Sequence, residues 1–287
     1  MRNEELTESI VESIVTLPTI PSIVTALNTV IAVPNSSAVD VANIISRDPS
    51  TATKVLRLAN SAYYGLRSKV STINHAVTML GFNIVRNLVL TASILNVSTG
   101  ANIAGLFERE KFWHHSLGVG VTARIVAREA FPEMRRQSDE FFICGLLHDL
   151  GKIILLQHLQ PKFEEALLLS RDQALPLYEA EKISIGCTHA DVGGLLAKRW
   201  NLSKEIIAAV AYHHDPAEAW QEQYRYVAVT HLSDFIARAK EIGVGGGANP
   251  RLAREAWDAV GLSKQKISAI LTEIDNSLNL QELQMTP

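Results

Sequence analysis

Cysteine is nearly missing: two thiols, Cys144 and Cys187, stand in 287 residues. Both lie among apolar or small neighbours, and they read as buried free thiols, not as a disulfide framework or a zinc-type cluster. Glycine and proline are scarce as well, at sixteen and ten, which excludes fibrous and low-complexity chains. Charge of one sign is absent in bulk. A formal net charge of −3 gives no general pull toward nucleic acid or an anionic membrane, and no basic recognition helix stands out. No apolar run reaches the roughly 18 residues that span a bilayer. The opening Met-Arg-Asn-Glu-Glu-Leu-Thr-Glu is acidic where a signal peptide is basic and then apolar. The expectation is a cytoplasmic protein with neither membrane nor nucleic acid as partner. Also missing are a Gly-x-Ser-x-Gly elbow, a Walker loop and a Gly-x-Gly-x-x-Gly after a strand.

What is present is helix. Hydrophobic residues make up 47% and charged residues 20%, an ordinary globular balance, in a chain long enough for one large domain or two smaller ones. Leu6, Ile10, Ile14 and Val15 repeat at helical spacing, and Leu17-Pro-Thr-Ile-Pro21 breaks the pattern. Helices are predicted from Pro21 to about Ala32, Val39 to Ser46, Asp48 through Ala59, Ile73 to Leu80 and Asn83 to Val97. Asn35 to Ser37, Asp48 and Ser71-Thr72 supply the caps, and Asn60 to Gly65 reads as a turn. Ser98 to Asn102 is the candidate boundary between two lobes, 1–105 and 106–287. Beyond it, Phe107 to Ala130 reads as one long helix that Phe131-Pro132 ends. Helices are then predicted over Asp139–Leu147, Lys162–Ser170, Pro176–Ile185, His189–Trp200, Lys204–His213, Tyr226–Ile242, Arg251–Val260 and Lys264–Leu278. Gly243 to Gly247 reads as a flexible link. No convincing strand alternation occurs, so the fold class is all-α.

The most informative stretch runs from Phe141 to Lys152, Phe-Phe-Ile-Cys-Gly-Leu-Leu-His-Asp-Leu-Gly-Lys. Its apolar run wants burial and carries His148 and Asp149 inward, where an unpaired carboxylate is costly. A metal ion is the general remedy, because it takes both an imidazole nitrogen and a carboxylate oxygen. His189, the pair His213-His214 and Asp234 could complete such a site. Lys152 falls four residues after His148 and three after Asp149, over the same spot if the helix continues. Blander readings stand beside this one. His189 could cap the following helix, and His213-His214 could sit at a helix C-terminus facing the dipole. Asp234 could form a solvated ion pair with His231 or Arg238. His114 and His115 compete for one inward position, and periodicity does not choose between them. His75 and His158 read as structural or surface residues.

The chain resembles the HD-related output domain family, HDOD, over almost its whole length. The resemblance is carried by Leu17–Pro21, Ile44-Ile-Ser-Arg-Asp-Pro49, Leu56–Gly65, Ala76–Gly81, Phe112-Trp-His-His-Ser116, Gly145–Lys152, His189-Ala-Asp-Val-Gly193 and Tyr212–Pro216. It implies a two-lobed helical fold, an HDOD unit over about 15–240 with a helical carboxy-terminal extension, and a second lobe similar to HD phosphohydrolases. It also implies a bacterial signalling or regulatory module, acting through a signalling protein partner or a nucleotide or other anionic small ligand.

The second lobe is similar to the HD-GYP phosphodiesterases as well. That likeness selects His115 over His114 and gives a ligand set of His115, His148, Asp149, His189, His213, His214 and Asp234 for one or two divalent metals. Mixed nitrogen and oxygen donors suit iron or manganese. In such enzymes Asp149 and Lys152 would be the catalytic pair, the first bridging metals and the second contacting a scissile phosphate. Two departures speak against turnover. Lys111 stands where phosphodiesterases with an extra metal carry a glutamate, and His213-His-Asp-Pro-Ala-Glu-Ala-Trp220 lacks the Asp-Gly-x-Gly-Tyr-Pro continuation that shapes the substrate pocket. The implied function is therefore a non-catalytic module with a retained metal site, the competing reading being a metal-dependent phosphohydrolase of nucleotides or cyclic dinucleotides. Between Arg47 and Arg86 the basic residues Arg47, Lys54, Arg57, Arg67, Lys69 and Arg86 face one acid, Asp48. With Tyr63 and Tyr64 nearby, they form either a docking surface or an ordinary solvated face.

Overall fold

Helix is the only regular structure among the residues described in this computed structural model, which are 7–8, 22–60, 69–97, 102–103, 105–243 and 250–277. No strand occurs among them; Ile103 and Phe107 form an isolated antiparallel bridge. Two compact units divide the chain, one Pro18–Thr99 and the other Met1–Leu17 with Gly100–Pro287.

In the smaller unit, α1 (Ser22–Ile31), α2 (Ala38–Ile45), α3 (Pro49–Ala59), α4 (Ile73–Leu80) and α5 (Phe82–Val97) follow in order. Their starts are written in short polar residues. Ser37 and Asp40 form a reciprocal capping box, Asp48 caps α3 with Pro49 in its first turn, and Thr72 caps α4. Each satisfies amide donors that a helix N-terminus leaves open. Leu27, Val41, Ile45, Val55 and Val85 make a dry core, with α3 packed on α5 and α2 on α1 and α4. Asn60 closes the end of α3. Its amide donates to the Leu56 and Val70 carbonyls at 2.8 and 2.7 Å, and its oxygen accepts from the Val70 amide at 2.7 Å. The expected motifs Leu17–Pro21 and Ser61–Gly65, with Arg67, lie outside the described residues.

The larger unit runs α6 (Arg109–Ala130), a 3-10 turn Pro132–Gln137, α7 (Ser138–Leu147), α8 (Leu150–His158), α9 (Gln160–Gln173) and α10 (Leu177–Ser184). It continues with α11 (His189–Arg199), α12 (Lys204–Tyr212), a 3-10 turn Pro216–Glu218, α13 (Tyr224–Ala239), α14 (Arg254–Val260) and α15 (Lys264–Ser277). At its centre, α7 is buried on every side from Phe141 to Leu147, as an all-round apolar helix must be. It packs against α6, α12 and α13. Ser138–His158 is long and apolar enough on paper to cross a membrane, but 89% of its most apolar stretch is buried inside the protein. Its hydrophobicity is taken up by the core. Cys144 and Cys187 are both free and buried.

Several boundaries differ from the sequence expectation. Helix α6 begins at Arg109, because Phe107 instead turns into the core against Phe112 and Phe163, with ring centroids 5.6 and 5.8 Å apart. Helix α13 starts at Tyr224, two residues early, and ends at Ala239. Helix α14 starts at Arg254, after an extended Ala253. The expected flexible link is corrected at its first residue. Gly243 has φ +53°, and a Cβ there would collide with the Lys111 carbonyl and the His115 amide. Tight packing against α6 requires this glycine; a linker would not.

Candidate metal centre

The run that carries His148 and Asp149 does not continue as one helix. Helix α7 ends at Leu147, Asp149 takes φ −96° and ψ 9°, and α8 restarts at Leu150. This break turns both side chains into the interior of the larger unit, where His148 and Asp149 are fully buried. Asp149 stands just ahead of the first turn of α8, and Lys152 comes three residues later. Lys152 therefore reaches Asp149 from the new helix, Nζ to Oδ2 at 2.6 Å. Gly151 lets α8 lie against α11, since a Cβ there would collide with the His189 carbonyl.

Asp149 is the hub. Its Oδ2 lies 3.3 Å from His148 Nε2 and 3.9 Å from His115 Nε2, and its Oδ1 lies 3.1 Å from His189 Nε2 and 3.7 Å from His213 Nε2. Asp234, from the middle of α13, meets His115 Nε2 at 2.9 Å and His148 Nε2 at 3.8 Å. His214 Nε2 lies 3.0 Å from His189 Nε2. Two clusters result: Asp149, His189, His213 and His214 offer ligand atoms all within 4.8 Å of one another, and so do His115, His148 and Asp149. All seven sequence-nominated ligands and Lys152 thus gather in one place. His114 joins neither cluster and is half-buried. His75 lies in the other unit.

The imidazoles are oriented for ligation. Nδ1 of His115 bonds the Ile242 carbonyl at 3.2 Å, that of His148 the Gly145 carbonyl at 2.6 Å, and that of His213 the Val210 carbonyl at 2.9 Å. A carbonyl only accepts, so each Nδ1 carries a proton and each Nε2 is turned to the centre, that of His115 against the Asp234 carboxylate at 2.9 Å. Nε2 of His148 and of His213 is buried with no hydrogen-bond partner, an arrangement that costs stability unless a cation satisfies it. The donor set fits a divalent metal.

Charge is balanced internally. Burial would raise Asp149, yet the His148 imidazole and the Lys152 ammonium hold its carboxyl well below the usual range. Burial likewise opposes ionisation of Asp234, and the Arg238 guanidinium, 2.9 Å away, outweighs it. Burial and the neighbouring imidazoles push His213 and His214 well down, into the neutral form that ligates. His115 is lowered by burial despite Asp234. His189 goes the other way: burial lowers it, but the Glu181 carboxylate more than compensates.

Three residues here were not nominated by sequence reasoning. Glu181 is fully buried on α10 and accepts from His189 twice, from its amide at 2.8 Å and from Nδ1 at 2.7 Å. Its signal was available: it falls four residues after Leu177, on the buried stripe of an amphipathic helix. Arg238 was foreseen only as a surface partner of Asp234, and its side chain is 6% exposed. His231 donates from Nδ1 to the His213 carbonyl at 2.7 Å and accepts at Nε2 from the Ala253 amide at 2.9 Å. Nothing in the linear pattern distinguished it. The cap reading of His189 resolves as well, since Thr188 and Asp191 form the capping box and His189 is the first helical residue.

The one ligand not sealed is His214. It stacks on Tyr178 with centroids 4.4 Å apart, at a cavity of about 270 Å³ lined by Tyr178, Lys182, Thr188, Asp191, Asp215 and Glu218 among others.

The HDOD domain model matches residues 17–216. A solved HDOD domain protein of unknown function from Geobacter sulfurreducens is 25% identical, with a TM-score of 0.81 over 99% of this chain and 98% of that one. A solved protein of Marinobacter aquaeolei VT8, provisionally called a signal transduction protein, is 22% identical with a TM-score of 0.73 over 99% of this chain and 60% of that one. An uncharacterized protein of Treponema pallidum (strain Nichols) is 26% identical over 234 residues, and this chain spans 44% of its length.

Proposed function

The chain belongs to the HDOD family, and on that footing we propose that it is a regulatory module whose HD-type cage holds a divalent metal, as one ion or a pair, without turning over a phosphoester. The carrying observation is the closure of the cage. His115, His148, Asp149, Lys152 and His213 are buried to within about one percent, which supports a cage closed to a phosphoester. Lys152 supports the same reading, because its ammonium is committed to Asp149 at 2.6 Å. It offsets the charge of a buried carboxylate, where a phosphate-binding lysine would face an opening.

His115, His148, Asp149 and Asp234 would hold one ion, and Asp149, His189, His213 and His214 the other. Mixed nitrogen and oxygen donors without thiolate favour iron or manganese. A bound metal would neutralise the two carboxylates and act as a Lewis acid. The chain's own residues fix the ring tautomers and exclude water. Signals would pass through a protein partner or an anionic small ligand. Residues 18–99 carry six basic and two acidic residues, and Val33, Val39 and Met79 are exposed there, a mixture that favours a protein contact. Cytoplasmic location accords with this reading.

Metal analysis of protein purified without oxygen, followed by phosphodiesterase assays with added manganese or iron, tests it. Bound metal with no turnover is the expected result. The rival reading is a metal-dependent phosphohydrolase, and the cavity beside His214 is what favours it. Turnover that Asp149→Ala abolishes in a folded protein would install that rival.

A further inference from the structure

The family match ends at residue 216, but the cage does not. Asp234 lies beyond that limit, and so does Ile242, whose carbonyl orients His115. Gly243 is packed onto the backbone of Lys111 and His115. The carboxy-terminal segment is therefore part of the wall of the site, and one side chain ties the two most directly. His231, 2% exposed, spans from the His213 carbonyl at 2.7 Å to the Ala253 amide at 2.9 Å. Its first partner belongs to a metal-ligand candidate; its second is the residue that opens α14. Helices α14 and α13 pack together, and α15 packs on α6. There Lys266 donates to the Glu129 carbonyl at 2.8 Å, and Arg128 pairs with Glu273 at 2.8 Å.

We propose that His231 is a positioning residue that makes metal occupancy of the cage and seating of the carboxy-terminal helices one coupled equilibrium. A ligand imidazole can meet a metal only if its own backbone is held, and the His213 backbone is held by a ring whose other nitrogen needs Ala253. Filling the cage fixes His213, which fixes His231, which favours the seated Ala253. Linkage makes the effect reciprocal: releasing Ala253 must weaken metal binding by the factor with which metal tightens Ala253. This rests on the metal reading above and supplies that reading with an output, namely a helical segment whose seating reports the state of the site.

The test is amide hydrogen exchange over residues 250–277 in the full chain, chelated and then loaded with manganese, with bound manganese counted in parallel. In the unmodified protein, manganese slows exchange at residues 253–260 by about tenfold, within the usual range of site-to-site coupling. His231→Phe removes both bonds. It binds manganese about tenfold more weakly, as loss of an outer-shell partner does, and at saturation leaves exchange at 253–260 unchanged. Should His231→Phe fail to fold, Ala253→Pro carries the same expectation. It deletes only the donor, at a φ of −73° that proline accepts. Manganese binding with no change in exchange at 253–260, or full slowing in either variant, overturns the coupling and leaves the metal reading standing. Binding of neither manganese nor ferrous iron to the unmodified protein overturns both.

Discussion

Asp149 faces three kinds of neighbour, imidazoles, the Lys152 ammonium and the turn at the head of α8, and its burial makes each of them energetically consequential. Removing one member of a buried charge pair costs about 3–5 kcal/mol, because the other is left uncompensated. Lys152→Met is therefore expected to destabilise the chelated protein by about that amount in urea unfolding, and added manganese should restore most of the loss. A lysine whose only task was to contact phosphate would leave stability untouched. Glu181 acts one step further out, on His189 Nδ1. Glu181→Gln keeps the volume and should lower manganese affinity by about 10- to 100-fold in a direct titration, with little change in the fold. Burial pushes the Cys187 thiol up to about 12. At pH 8 only about one in ten thousand such thiols is ionised, so alkylation by iodoacetamide should be negligible until the protein unfolds. The sequence shows the candidate metal ligands unevenly. His148-Asp149 announces itself by ending an apolar run. His115 could not be separated from His114 by period, since both have apolar residues one turn below, and only the resemblance selected it. Glu181 was passed over because an acid on a mixed helix is ordinary until its burial is known.

At the scale of elements, caps were the legible part. Ser37, Asp48 and Thr72 each precede a helix by one residue and satisfy its amides, so those starts fall within a residue of expectation, whereas the cap before His189 is Thr188 and not His189 itself. Ends governed by packing were less legible. Helix α13 begins two residues early at Tyr224, although no side-chain cap marks it. The Gly243 region reads as linker by composition because sequence carries no trace of the α6 backbone pressed against it. The α7–α8 break is similar: an unbroken apolar pattern hides a change of direction fixed by what lies on the far side of Asp149. Gly151 tests that geometry. Gly151→Ala would favour helix intrinsically, by about 1 kcal/mol, yet the added methyl would strike the His189 carbonyl. The collision should win, costing about 1–3 kcal/mol as overpacking does, with loosened manganese binding because Asp149 leads into α8 and His189 opens α11. A Gly151→Ala variant that unfolds at higher urea than the unmodified protein would refute the close approach.

The whole chain is electrically divided. Residues 18–99 carry six basic residues against two acidic ones, a balance of +4, so the chain's −3 leaves −7 for the remainder. Net charge near zero conceals this division, which is why composition alone suggested no partner. The metal candidates lie wholly in the acidic unit, and that unit has a core of its own, from Phe112 and Phe141 to Leu196 and Val229. Its metal-free cage is also charge-compensated by Lys152 and Arg238. Metal should therefore add stability to a unit that is already folded, unlike small zinc domains that unfold without their ion. Calorimetry of the full chain can separate these effects. At a manganese concentration 100 times the dissociation constant, binding contributes about 2.7 kcal/mol. For a unit of this size each kcal/mol moves the midpoint by about 2–4 °C, so the transition of the larger unit should rise by about 5–10 °C. The transition of Pro18–Thr99 should stay where it was, since no ligand candidate lies in it. If both transitions moved together, the two units would be unfolding as one. If chelation abolished the larger transition, the metal would be a condition of folding and no longer a signal laid upon it.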